Sequence, residues 1–175
     1  MPFIGTLTGN FAVHRNPAFN LTPGLYLYTY SGYFNDDNTW FDSNTPLSSD
    51  TDTLLSIPNL NTTISIQYLG YFIPSTTESY TFYTTSDDAS YMWVGQQALS
   101  GYTTSNAIVN NGSNHAEIER SGTIPLNAGQ KYPVRIQSGN GGGPGSFSAA
   151  YSTATIFKNS NFTGLIFFNP ITNGF

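Results

Sequence analysis

No stretch of ten or more residues in this chain carries a helical hydrophobic period, whereas several short runs alternate with a period of two. In Thr63–Phe72, the side chains of Ile64, Ile66 and Tyr68 alternate with Thr63, Ser65 and Gln67. An extended backbone would bury the first set and wet the second. Similar runs occupy Gly24–Tyr30, Ser79–Thr85, Tyr91–Val94, His115–Ile124, Tyr132–Ile136 and Ser146–Ser152, with one or two more within Thr155–Phe157 and Phe162–Phe168.

Turn formers punctuate these runs. Pro74–Glu78 is expected to close a hairpin, and Asn110–Ser113 carries an Asn-Gly signature that needs positive φ. Pro125 is expected to end the strand that starts at His115, and Pro133 argues for an edge or a bulge. Ser138–Gly145 reads as a glycine loop, and Ser43–Asn61, with Pro46 and Pro58, as a long surface excursion. The fold class expected is all-β: an antiparallel, jelly-roll-type β-sandwich forming a single domain over residues 1–175.

Composition narrows the function. Only 9% of residues are charged and five are Lys or Arg, scattered at Arg15, Arg120, Lys131, Arg135 and Lys158. Phosphate binding needs such residues clustered on one face, so a nucleic-acid protein is disfavoured. There is no cysteine, which removes thiolate metal sites, thiol nucleophiles and disulfides. His14 and His115 lie far apart without a second ligand at metal spacing. No Gly-x-Ser-x-Gly elbow or phosphate-binding loop is present. The N-terminus, from Met1 to Thr6, lacks the basic start and apolar stretch of a secretory signal, and no apolar run is long enough for a membrane span. Either a signal has been removed, or the protein reaches its destination without one, as a virion protein does.

One loop stands out against this uncharged background. Ser86-Asp87-Asp88-Ala89-Ser90 sets two adjacent carboxylates, flanked by hydroxyls, at a strand-to-strand corner. Such hard oxygen donors suit calcium. Neighbouring strand residues point to opposite faces, so two adjacent aspartates can share one cation only if the backbone departs from extended geometry, for instance through a non-proline cis peptide. The alternative is a solvated turn in which short carboxylates accept backbone amides. A second acidic cluster, Asn35–Asn38 followed by Trp40-Phe41-Asp42, reads as a polar turn ahead of an aromatic plug.

The order of these pieces resembles a family. From Ile64 to Ser152, the aromatic-Thr-Phe run before Asp87-Asp88, the glycine soon after the next strand, the turn before Tyr132 and the Gly-Asn loop are together similar to the protective-antigen (PA-fourteen) domain. They resemble above all its lectin branch in yeast flocculins and adhesins. The resemblance implies that two loops meet at one end of a sandwich around a calcium ion that touches sugar hydroxyls. Asp87 and Asp88, joined by a cis peptide, match the first loop; Asn140 matches the side-chain ligand of the second, with Gly142 and Pro144 as carbonyl donors. The chain departs from flocculins in having no cysteine and a run of glycine in the second loop, so the metal site carries over better than the sugar preference.

Trp93, Tyr91 or Tyr102 could stack on a sugar ring, against the alternative that they fill the core. Adjacent aspartates on one ion are not free to act as acid and nucleophile, so no enzyme is expected. The function implied is a calcium-dependent carbohydrate-binding module for adhesion or host recognition, at an extracellular, cell-surface or virion-surface location, with glycans as ligands. The alternative is a virion structural or capsid-decoration protein that packs against neighbouring capsid or surface proteins through an apolar surface near Met1 and Phe175.

Overall fold

The computed structural model describes residues 23–160, 162 and 166–168. In chain order they form β1 (Leu25–Ser31), the one-turn helix α1 (Trp40–Ser43), β2 (Ser48–Asp52), β3 (Ser56–Ile57), β4 (Ile64–Ile73) and β5 (Glu78–Asp87). Then follow β6 (Ser90–Val94), β7 (Val109–Asn111), β8 (Ile118–Leu126), β9 (Tyr132–Asn140), β10 (Ser146–Ser152) and β11 (Ile166–Phe168). The strands make two antiparallel sheets. The larger runs β2-β1-β4-β9-β6-β7, with β11 also paired to β4; the smaller runs β3-β10-β5-β8. The expected antiparallel sandwich is the architecture found.

The period-two pattern sets the layers. Phe72 of β4, Tyr80 and Phe82 of β5, Val134 and Ile136 of β9, and Phe147 of β10 turn into one buried cluster between the sheets. There the Phe72 ring meets Tyr80 at 5.4 Å and Phe82 at 5.5 Å, tilted by 74° and 85°. Edge-to-face contacts of this kind suit the aromatic quadrupole. Strand β6 is buried on both faces. Met92 and Val94 join the inter-sheet core, while Tyr91 and Trp93 enter a second cluster with Tyr30, Phe34 and Phe41 on the other face of the larger sheet. Phe41 comes from α1, so the expected aromatic plug is present and covers a sheet face.

Several local expectations are corrected. β4 and β5 do not form a hairpin; they lie in opposite sheets. Both edges of β4 are already taken, by β1 and β11 on one side and β9 on the other, so β5 has no edge to join. The excursion Ser43–Asn61 contains β2 and β3, which form one edge of each sheet. Buried Leu55 and Leu60 anchor it. Pro125 does not end β8 but lies within it; β8 is an edge strand, where a missing N–H is tolerated. Pro133 lies in β9, an interior strand, at its second residue, one before the register with β6 begins at Val134. The positive φ expected of Asn-Gly falls on Ser113, at 81°. Ser138–Asn140 belong to β9, so the glycine loop shrinks to residues 141–145. No strand forms over Thr155–Phe157. The apolar surface expected near Met1 and Phe175 lies outside the described residues, and among these no helix is long and apolar enough to cross a membrane.

Candidate functional site

Because β5 belongs to the smaller sheet and β6 to the larger, the chain must turn across the sandwich rim between them, through Asp88 and Ala89. A chain of buried hydroxyls fixes that corner. Ser90 Oγ donates to Thr84 Oγ1 at 2.8 Å, lies 2.8 Å from Ser86 Oγ, and Ser86 Oγ accepts from Asn111 Nδ2 at 3.1 Å. The Ala89 carbonyl accepts from Gly139 N and from Ser138 Oγ, each at 3.0 Å, tying the corner to the end of β9. The peptide bond between Asp87 and Asp88 is cis.

The two carboxylates differ in surroundings. Asp88 is 4% exposed and bridges two loops: its Oδ2 accepts from Gly141 N at 2.8 Å and its Oδ1 from His115 N at 3.1 Å. Asp87 is half-buried. Burial, and then the charge of Asp88, push its carboxyl above the usual carboxylate range, while His115 and the Glu117 backbone amide act in the opposite direction. The ion pair found among the described residues joins Lys158 to Glu119; none neutralises Asp87 or Asp88.

Asn140 reaches the same rim but turns its amide inward. Its Nδ2 donates to the Leu60 carbonyl and, at 2.9 Å, to that of Gly143, and its Oδ1 accepts from Gly142 N at 2.9 Å. It thereby shapes the glycine loop, in which Gly142 and Gly143 hold φ of 145° and 85°. One lone pair of its oxygen remains for another partner. Gly145 closes the contact. A Cβ there would lie 2.4 Å from Asn140 Nδ2 and 2.8 Å from the Asp87 carbonyl, so no side chain fits. Gly145→Ala is expected to push the loop off the corner and cost about 1–3 kcal/mol, read as a lower denaturation midpoint; an unchanged midpoint would show that the two loops do not depend on each other.

Asp87, Asp88, Asn140 and Gly142 are therefore brought to one rim, and Trp93 is not. Trp93 is 1% exposed, stacks on Tyr91 at 5.8 Å, and donates its Nε1 proton to Thr103 O and Asn106 Oδ1. It has no face to offer a sugar, so its reading as a ligand contact is corrected to a core role. The reason is that β6 is covered on both sides. Tyr91 is buried too, donating to Asp36 at 2.8 Å, and Tyr102 lies under the Arg135 guanidinium at 4.0 Å.

A third segment at the rim was not singled out from the sequence. Residues 112–117, between β7 and β8, supply the His115 amide to Asp88, and Asn114 lies beside Gly141. Its signal was the Asn-Gly turn, which located a bend but not what the bend would face. The acidic turn near Asp36 serves structure: Asp36 accepts from Ser113 N at 3.0 Å as well as from Tyr91.

Among the described residues no three His, Cys, Asp or Glu side chains gather as a metal cage. A cation at this rim would rest on two carboxylates completed by amide and carbonyl oxygens. That all-oxygen donor set, carrying uncompensated negative charge, fits calcium and not a soft metal.

No curated protein matches the chain. Solved structures do. An anti-sigma factor domain-containing protein from Clostridium clariflavum superposes with a TM-score of 0.69 at 18% identity, over 88% of this chain and 49% of that one. The chain thus spans about half its length. The Epithelial Adhesin 6 A domain from Candida glabrata, solved in complex with Galb1-3GlcNAc, gives 0.65 at 18% identity, covering 88% and 92%. A PA14 sugar-binding domain from an RTX adhesin gives 0.65 at 11%, covering 79% and 94%. The shared fold is the PA14 sandwich. The GLEYA domain matches residues 64–153, just over half of the 175 residues, in a span that holds the Asp87–Asp88 corner and the whole glycine loop; the chain belongs to the GLEYA domain family.

Proposed function

We propose that this protein is a calcium-dependent carbohydrate-binding module that serves recognition at a cell surface. The observation that carries the reading is the pair of adjacent carboxylates, Asp87 and Asp88, at the sandwich rim, locked to the glycine loop by the bond from Gly141 N to Asp88 Oδ2. Asp87 and Asp88 would hold the ion, joined by the free lone pair of Asn140 Oδ1 and the carbonyl of Gly142. Calcium accepts six to eight oxygens, so these donors leave places for a pair of vicinal sugar hydroxyls. Asn140 orders the loop, and Asp88 ties that loop to residues 112–117, so the chain keeps three segments in register around one small surface. The sugar-bound Candida glabrata adhesin domain and the RTX adhesin sugar-binding domain share this fold, which supports glycans as the ligand class.

The test is binding to an array of glycans in calcium and in chelator. Binding to at least one glycan class is expected in calcium and is expected to vanish in chelator and in Asp87→Asn. Glycan binding that survives both would remove the ion from the account.

A further inference from the structure

Among the described residues, one buried side-chain polar atom has no hydrogen-bond partner, and it is the hydroxyl of Tyr33. Folded proteins rarely leave such a group unsatisfied, and an exception points to a water, an ion or a ligand-linked partner. Its position is specific. The Tyr33 ring lies against Gly139 and Gly141, at the foot of the glycine loop, and a Cβ on Gly141 would meet both the Tyr33 ring and Asp88 Oδ2 at 3.4 Å and 3.3 Å. Asp88 Oδ2 and the Tyr33 ring thus flank one point beside Gly141, and burial raises the phenol at the end of that ring above its ordinary value. The Ala89 amide lies near the oxygen without closing a hydrogen bond in good geometry.

The possible acceptors narrow the choice. On Asp36, Oδ1 is filled by the Tyr91 hydroxyl and Ser113 N, while Oδ2 shares the Ser113 amide. Each oxygen of Asp88 receives a single backbone amide, from His115 or Gly141, and so retains acceptor capacity. We propose that Tyr33 is a positioning residue for the rim, whose hydroxyl donates to Asp88, directly or through one buried water, when a cation is held there. This rests on the calcium reading of the same site. Carboxylates that bind a metal are held by hydrogen bonds behind them, and loss of such a partner weakens the metal about 10- to 100-fold.

The experiment compares wild type with Tyr33→Phe, which keeps the ring and removes only the hydroxyl. Tyr83→Phe, on the smaller sheet away from the rim, is the control for loss of a tyrosine hydroxyl. Calcium is titrated calorimetrically into each chelator-stripped protein, and each calcium-free melting temperature is measured. The expected result is a calcium Kd about tenfold weaker in Tyr33→Phe, with an unchanged calcium-free melting temperature and a control like wild type. An unchanged Kd in Tyr33→Phe would overturn the proposal while leaving the calcium site standing. A marked fall in its calcium-free melting temperature would also overturn it, because the hydroxyl would then be a structural donor without the ion. No calcium binding by wild type would remove both readings.

Discussion

Asp87→Asn is expected to abolish the calcium response of the protein while leaving its calcium-free form at least as stable as wild type. The side chain is half-buried, and burial with the neighbouring Asp88 disfavours its charged form in the fold. The sign follows from that direction. A carboxyl raised above its unfolded value binds a proton more tightly when folded, so the calcium-free fold is most stable below the ordinary aspartate range and weakens as pH rises through it. Removing the charge removes that weakness at neutral pH, and removes a ligand. With calcium at a hundredfold excess over Kd, a folded-state ligand adds about 2.7 kcal/mol, which moves the midpoint of a domain this size by about 5–10 °C. Wild type should show that shift and Asp87→Asn should not; thermal melts with and without calcium check it. Asp88→Asn is a poorer choice, because both oxygens of Asp88 accept backbone amides and an amide NH₂ would face one of them.

The second large effect is on the core. Phe72→Ala should cost about 3–5 kcal/mol, because the ring is fully buried between the sheets against Tyr80, Phe82 and Tyr151. Phe157→Ala, at a side chain 95% exposed, should stay within about 0.5 kcal/mol of wild type. Denaturant titration of the two separates them. Equal midpoints would contradict the placement of Phe72 where the two sheets face each other.

Ile64, Ile66 and Tyr68 announce a strand because alternation is a local property, and β4 forms where it says, but its other face is not wetted: Ser65 and Gln67 are buried too, under the second aromatic cluster. The partners of β4 are not local. Pro74 and Glu78 mark a turn, but whether the chain returns beside β4 or crosses to the other sheet depends on which edges β1, β9 and β11 occupy. Pro125 reads as a strand end and Pro133 as an edge or a bulge for the same reason: a proline's cost depends on which neighbour its missing N–H would have served, and that is set by topology.

At the site, Asp87-Asp88 was legible because, unlike the other adjacent pair, Asp36-Asp37, it falls directly between two strand-like runs. The cis peptide expected as one departure from extended geometry is present between Asp87 and Asp88. Asn140 and Gly142 came through the resemblance and lie at the same rim, although the amide of Asn140 is spent largely on the loop itself. For Trp93 the core role weighed against sugar stacking is the one found; period-two patterning does not tell that a sheet's outer face is covered, and only the packing of Phe34 and Phe41 over β6 does. Tyr33 and residues 112–117 were missed because each reaches the rim from a different part of the chain.

The most direct measurement is an anomalous-difference map from crystals grown with a calcium or lanthanide salt. A single peak between the Asp87 and Asp88 carboxylates, within ligand distance of the Gly142 carbonyl or Asn140 Oδ1, is the result expected. A map with no peak at this rim, or an ion held by other residues, would contradict the account.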